Sequence, residues 1–124
     1  PNKKSATEFE DEIARTIKDI RDDCACLVLA IHHLSKSSET DANGGYEPKI
    51  AHVRGSSRLL DFCNTLMLLH RPGFYNDVVE MGDRMGIDIR QMFVVNIALQ
   101  RSGGGGYVPM YCDLSTNRFE ESSR

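Results

Sequence analysis

The sequence lacks several features that would assign it at once to a common class of protein. Its longest apolar stretches fall far below the ~20 residues that a membrane-spanning helix needs, and no charged-then-apolar signal peptide opens the chain. The 15 basic and 18 acidic residues give a formal net charge of −3, so the chain as a whole has no electrostatic footprint for nucleic acid. Any contact with nucleic acid must therefore come from local loops, or from loops repeated by oligomerisation.

Cysteine is scarce, and its spacing does not match that of a metal site. The four residues form one C-x-C pair, Cys24 and Cys26, and two single positions, Cys63 and Cys112. Structural zinc sites need paired knuckles, which this spacing does not supply. Three of the four cysteines lie in or beside apolar runs, as small buried residues do in the reducing cytosol. We therefore predict a cytoplasmic protein without a metal site of its own.

Two catalytic motifs are also missing. No Gly-Lys pair occurs anywhere, so the chain has no Walker A loop to hold nucleotide phosphates. The glycine run at 103–106 does not replace it, because Tyr107-Val108-Pro109 follows. No serine lies in a G-x-S-x-G elbow, so no hydrolase triad is assigned.

The composition that is present fits one compact α/β domain. The 124 residues are 40% hydrophobic and 27% charged, which is ordinary for a globular protein. The chain begins with Pro1 rather than Met, so we expect it to be a piece of a longer protein.

The N-terminal third predicts one helix and one strand. Capping boxes at Ser5-x-x-Glu8 and Thr7-x-x-Glu10 predict the start of a surface helix that ends near Asp22-Asp23. Its buried stripe recurs at helical spacing: Phe9, Ile13, Ile17, Ile20 and Cys24. Residues 26–31 are apolar at every position, which is typical of a strand covered on both faces in a parallel sheet.

The rest of the chain predicts a sheet with flanking helices and a C-terminal β-hairpin. We expect a polar loop at 37–50, a short helix at 56–62 and a strand at Thr65–His70 that Pro72 ends. Residues 74–90 predict a loop with at most one helical turn, and residues 91–99 predict a central strand. The glycine run at 103–106 predicts a hairpin, with its second strand at 107–113. We expect Arg118-Phe119 to form the last strand of the sheet.

The turn Arg54-Gly55-Ser56-Ser57 is the strongest candidate for a phosphate contact. It places an arginine and several backbone N–H groups directly before a helix, and that combination suits phosphate oxygens. The alternative is an ordinary surface turn, since arginine–glycine–serine sequences occur in many loops.

Two strand ends supply further candidates. His32 and His33 follow the apolar run 26–31, and ligands gather at the carboxyl ends of strands in open α/β sheets. Only one of the two can face a given site while the strand continues. Arg101 follows Gln100 at another strand end, where an arginine could stabilise a phosphoryl group. Solvent-exposed histidines and an ordinary surface arginine are the alternatives.

Taken together, the order of these segments resembles the C-terminal half of a DnaB-like replicative helicase, a partial P-loop NTPase domain of the RecA-like hexameric family. The resemblance covers residues 8–120 and also extends to plasmid RepA-type helicases. It rests on five segments in the family's order: 27–34, Arg54-Gly55-Ser56-Ser57, 66–71, 98–101 and Arg118-Phe119-Glu120.

The resemblance implies roles for particular residues. His33 would be the γ-phosphate sensor, and Arg101 would be the arginine finger that reaches the ATP of a neighbouring subunit. Arg71 and Gln100 would lie near nucleotide. The phosphate backbone of single-stranded DNA would contact the turn in the central channel of the ring, through Arg54, Gly55 and Ser57. Leu99 stands where the family usually has a lysine that works with the finger.

The resemblance also implies cofactors and partners. ATP and Mg²⁺ would be bound mainly by the P-loop half, which these residues lack, so the chain alone should not hydrolyse ATP. The full protein would be a homo-hexamer on single-stranded DNA, with primase and a helicase loader as candidate partners. Two other readings stay open: a RecA-like recombinase or clock-type ATPase, and a non-catalytic DNA-binding or ring-assembly module. A Gly-Lys-Ser/Thr loop upstream would favour a motor over the module.

Overall fold

A long capped helix opens the chain. The computed structural model describes residues 3–53 and 57–122, and for Ser57 it describes the backbone alone. Helix α1 spans Ala6–Cys24. The Ser5 hydroxyl accepts the Glu8 N–H at 3.2 Å, and the Glu8 carboxylate accepts the Ser5 N–H at 2.8 Å. This confirms the predicted capping box, which satisfies two N–H groups that the helix itself cannot pair.

The apolar run at residues 26–31 differs from its prediction. The sequence predicts a strand buried on both faces, but the run belongs to no strand of the described chain. Leu27 is 93% exposed and Leu29 is 78% exposed. The physical reason is that a strand is stabilised by a neighbour that pairs with its backbone, and no described strand lies beside this run. Its composition therefore gives it the propensity of a strand without the environment of one.

Four strands form one sheet in the order β1-β2-β3-β4, with every neighbouring pair antiparallel. Their bounds are β1 Thr65–His70, β2 Met92–Gln100, β3 Gly106–Asp113 and β4 Arg118–Glu121. These bounds confirm the predicted strands and hairpin to within a residue or two. The predicted parallel arrangement is wrong for the described sheet, in which each strand returns beside the one before it.

A helix occupies a segment that the sequence assigned to a loop. Helix α3 spans Asn76–Arg84. The residues that follow it form a stable C-terminal cap. Gly86 has a left-handed φ of 73°, and the Ile87 N–H reaches back to the Gly82 carbonyl at 2.8 Å. This is the glycine-ended motif that commonly terminates helices. Position 82, inside the helix, suits glycine, because a Cβ there would lie only 2.8 Å from the Ile87 carbonyl oxygen.

The remaining helix and the core are small. Helix α2 spans Ser57–Phe62 and packs against α1. It matches the predicted helix at 56–62 from residue 57 onward, and residue 56 lies outside the described residues. Prolines aside, the buried apolar side chains among the described residues are Ala14, Leu68 and Cys112, each 3% exposed or less. The chain exposes 9290 Å² of surface, whereas a compact monomer of its 13.9 kDa exposes about 6,700 Å². Much apolar surface is thus left uncovered.

Candidate functional site

An isolated β-bridge brings two predicted site segments together. Leu34 pairs with Val53 in the antiparallel sense, and the Ser35 N–H donates to the His52 carbonyl at 2.8 Å. His33 immediately precedes one side of this bridge, and residues 54–56, which the sequence predicts as a turn, come directly after the other side in the chain. Of the predicted contacts in that turn, Arg54 and Gly55 lie outside the described residues. Ser57 begins α2, and its side chain is not described.

The two histidines differ in their local contacts. His32 Nδ1 lies 2.6 Å from the His33 carbonyl oxygen, and since that oxygen can only accept, Nδ1 carries the proton when the bond forms. This contact ties the His32 ring to its own backbone. The His33 side chain is exposed directly before the bridge. His33 is therefore the histidine that the described geometry leaves available for a ligand at this position.

Helix α2 connects the turn to Arg101. The backbone N–H of Arg101 donates to the Asn64 carbonyl at 3.0 Å, and its guanidinium Nη2 donates to the Asp61 carbonyl at the end of α2. Within the described part of the chain, Arg101 forms no ion pair. A guanidinium has five N–H donors, so one carbonyl contact leaves most of them available to an anion.

A second arginine reaches the same end of α2. Arg21 from α1 donates from Nη1 to the Phe62 carbonyl at 2.7 Å and to the Asn64 side chain at 3.1 Å. Carbonyl groups at the end of a helix lack partners inside the helix, and cationic side chains satisfy them well. Sequence patterns did not identify Arg21 or the α2 carbonyls as part of the site. No sequence signal identifies them, because the contact with α2 is made to a main-chain oxygen that every residue carries and the Asn64 contact joins residues 43 positions apart.

The structure separates the two residues that were predicted to lie near nucleotide. Gln100 pairs with Thr65 at the start of β1, next to Arg101. Arg71 follows the other end of β1, and a strand of this length spans about 20 Å. Arg71 is half-buried, and its carbonyl accepts the Phe74 N–H at 3.1 Å. The two residues therefore cannot both contact one phosphate group within a single chain.

The described residues offer no evident metal site. No three His, Cys, Asp or Glu side chains within 3–53 and 57–122 lie close enough together to hold a metal ion. A search of the same residues for a helix that is both long and apolar enough to cross a membrane also finds none.

Comparisons with known proteins agree with this architecture. The family model described as "DnaB-like helicase C terminal domain" matches residues 2–121. A solved structure described as an ATPase domain has a TM-score of 0.83 at 20% identity, over 99% of this chain and 40% of that one. A DnaB-like replicative helicase, solved in a study of its interactions with primase, has a TM-score of 0.79 at 20% identity, over 96% of this chain and 26% of that one. No curated protein sequence matches the chain.

These likenesses confirm the predicted fold class, a partial RecA-like α/β domain. They also give a measure of extent. The chain spans 40% of the length of the solved ATPase domain and 26% of the length of the solved replicative helicase. At this identity the solved structures support the fold, and roles for individual residues must be argued from the geometry.

Proposed function

The chain belongs to the family of DnaB-like helicase C-terminal domains, and we propose that it forms part of an ATP-driven, ring-forming replicative DNA helicase. In this proposal His33 senses the nucleotide, the turn at 54–57 contacts single-stranded DNA, and Arg101 acts on the nucleotide of a neighbouring subunit. The observation that carries the proposal is the arrangement of the described residues on either side of segment 54–56. His33 adjoins the Leu34–Val53 bridge, Val53 directly precedes that segment in the sequence, and α2, which follows it, ends beside Arg101.

Short connections of this kind suit a motor. Only two residues, Leu34 and Val53, separate His33 from the turn across the bridge. Helix α2 is six residues long and therefore about 9 Å from end to end. A displacement of His33 would reach Val53, directly before the turn, through one paired bridge. A displacement of Ser57 would reach Arg101 through one short helix.

The separation of Arg71 from Gln100 and Arg101 fits a ring. In a closed ring of identical subunits, each subunit presents one face to the neighbour before it and another to the neighbour after it. Gln100 and Arg101 would serve one nucleotide and Arg71 a different one. Six copies of the turn would line a central channel, which removes the difficulty posed by a net charge of −3, because a channel can be basic while the outer surface is acidic.

ATP and Mg²⁺ do not fit this chain alone. It has no Gly-Lys pair to hold phosphates, and its described residues include no group of three His, Cys, Asp or Glu side chains that could hold a metal ion. We propose that a nucleotide-binding half, supplied outside these 124 residues, holds both and packs on this chain. The exposed surface supports this proposal, since an excess of roughly 2,600 Å² over a compact monomer on this partner alone corresponds to roughly 5,200 Å² counted on both partners, the size of a large obligate interface. We also propose that the full protein is cytoplasmic and that primase and a helicase loader are its partners.

The finger role is tested with Arg101→Ala in the full-length protein. Removal of an arginine finger lowers turnover by roughly 10³-fold or more, so we expect DNA-stimulated ATP hydrolysis to be lost. Nucleotide binding, measured by the fluorescence of a labelled ATP analogue, should be retained. Arg84→Ala is the matched control, because Arg84 is a surface arginine on α3 whose side chain is 79% exposed.

The same assays discriminate the other readings. Retained turnover in Arg101→Ala would remove the finger role. A wild-type protein that binds single-stranded DNA but never hydrolyses ATP would be a ring-assembly or DNA-binding module. A wild-type protein that hydrolyses ATP but does not separate duplex strands would be a RecA-like recombinase or clock-type ATPase.

A further inference from the structure

A tyrosine from the loop at 36–52 stacks on a tyrosine beyond the end of β1. The rings of Tyr46 and Tyr75 lie face to face, with centroids 4.0 Å apart and planes 5° apart. The Tyr46 hydroxyl donates to the Asp77 carboxylate at 2.7 Å. Asp77 lies in the first turn of α3. We call Tyr46, Tyr75 and Asp77 the tyrosine clasp.

The loop is folded so as to present Tyr46. The Asp41 carbonyl accepts the Tyr46 N–H at 2.9 Å, and the Asp41 carboxylate accepts from the Gly44 N–H at 3.0 Å and from Lys49 Nζ at 3.1 Å. Tyr46 itself has a φ of 58°. Residues other than glycine rarely adopt this left-handed conformation, and they keep it where surrounding contacts enforce it. The clasp supplies such contacts.

Further contacts connect the same loop to the sheet. The Glu47 side chain interacts with the Tyr107 hydroxyl at the start of β3, and this interaction raises the pKa of Tyr107. The Asp77 carboxylate likewise raises the pKa of Tyr46. Phe74 packs edge-on against Tyr75, with centroids 5.3 Å apart. The loop is therefore attached at its middle to the sheet and α3, and at its two ends to the Leu34–Val53 bridge.

The charges around the clasp argue against a nucleic-acid base as its ligand. The carboxylates that act on its two rings are Asp77, on Tyr46, and Glu39, on Tyr75. A phosphate backbone would be repelled by these carboxylates, whereas proteins that stack single-stranded bases place their aromatic rings in positively charged grooves. The stacking partner of Tyr46 is Tyr75 itself, and the clasp is an internal contact of the chain.

We propose that the tyrosine clasp is a positioning device that couples the DNA-binding turn to the end of β1. The turn at 54–57 directly follows the loop, and Arg71 directly precedes the segment that carries Tyr75 and Asp77. The clasp joins these two parts of the chain across 31 residues of sequence. This inference rests on the proposed function, because it assigns the clasp a role in transmitting DNA binding to nucleotide turnover.

The test compares ATP turnover with and without single-stranded DNA in the full-length protein. Tyr46→Ala removes both the stacking and the hydrogen bond, so we expect the ratio of stimulated to unstimulated turnover to fall roughly two- to tenfold, the range that an aromatic pair spans. Unstimulated turnover should stay unchanged. The double variant Tyr46→Ala/Tyr75→Ala should lower the ratio no further than Tyr46→Ala, because the single substitution already removes the stacking that the two tyrosines share.

Control variants separate this role from simple stability. Phe74→Ala removes an aromatic side chain that is 70% exposed and contacts Tyr75, but it leaves the stack intact and should not change the ratio. Tyr46→Phe and Asp77→Asn alter the hydrogen bond and leave the stacked rings in place. They therefore test the clasp if Tyr46→Ala does not fold. Each should lower the ratio by less than Tyr46→Ala does.

Two results would overturn the inference alone. One is a ratio that is unchanged in Tyr46→Ala, Tyr46→Phe and Asp77→Asn. The other is an equal fall in stimulated and unstimulated turnover, which would mean that the clasp supports folding without coupling. A wild-type protein whose turnover does not respond to DNA would instead overturn the proposed function, and the inference with it.

Discussion

Two apolar segments of similar length behave in opposite ways in this molecule. Strand β1, Thr65–His70, pairs with β2 along its whole length, and its Leu68 is 3% exposed. Residues 26–31 are at least as apolar, but they pair with no strand of the described chain, and Leu29 is 78% exposed. The difference teaches that apolar composition gives a segment the propensity of a strand, while burial depends on which neighbours are present.

The largest expected effect distinguishes these two segments directly. Leu68→Ala should lower the free energy of unfolding by about 2–5 kcal/mol, because it leaves a cavity where a leucine is buried. Leu29→Ala in the same 124-residue chain should change it by less than about 0.5 kcal/mol, as exposed positions do. Urea denaturation followed by circular dichroism measures both values.

The same pair of variants sharpens the comparison in the full-length protein. There we expect Leu29→Ala to cost about as much as Leu68→Ala, in the range of about 2–5 kcal/mol, because the proposed nucleotide-binding half would cover residues 26–31. An equal cost in the 124-residue chain would mean that this segment is already buried. A negligible cost in both would mean that nothing covers it.

A smaller effect is expected at Gly73, where the backbone of residues 89–90 approaches closely. A Cβ at Gly73 would lie 2.6 Å from the Arg90 carbonyl oxygen and 2.8 Å from the Ile89 carbonyl oxygen. Gly73→Ala should therefore destabilise the chain by about 1–3 kcal/mol. At Gly104 a Cβ would meet nothing within 4 Å, so Gly104→Ala is the control. Thermal unfolding compares the two, and similar melting temperatures would mean that the backbone at Gly73 can move away.

The smallest expected effect depends on pH and concerns the end of β1. Burial lowers the pKa of His70 below its ordinary 6.5, against a smaller opposing effect of Glu47. The folded state then binds fewer protons than the unfolded state near this pKa, so stability is lost as pH falls through about 6.5 toward the lowered value. His70→Gln should flatten the dependence of the unfolding midpoint on pH between about 5.5 and 7.5. An unchanged slope would mean that His70 is protonated equally easily in both states.

Much of the fold could be predicted from local patterns. Ser5 and Glu8 predicted the start of α1, the apolar segments before Pro72 and before the glycines at 103–106 predicted β1 and β2, and those glycines predicted the hairpin. Each of these signals is a property of adjacent residues. Helix α3 was missed because Gly82 and Gly86 weaken a helical pattern. The helix accommodates both glycines because the Ile87 N–H bonds to the Gly82 carbonyl at its end.

The candidate site was less predictable for a related reason. The sequence identified His33, Arg54 and Arg101 through their order along the chain. It could not show that a bridge between Leu34 and Val53 joins the first two segments, since that pairing connects positions far apart in the chain. The stacking of Tyr46 on Tyr75 is equally non-local, and no local pattern marks either tyrosine. Arg71 was grouped with Gln100 by the family resemblance, although antiparallel pairing sets them at opposite ends of β1.

The contact between Arg101 and the Asp61 carbonyl has a consequence for how this residue can be altered. A main-chain oxygen orients a guanidinium without neutralising it, so the full positive charge stays available to whatever approaches from outside. The same oxygen is present whichever amino acid occupies position 61. A mutational scan of side chains would therefore pass over this support entirely, and only a change in the length or end of α2 would reveal it.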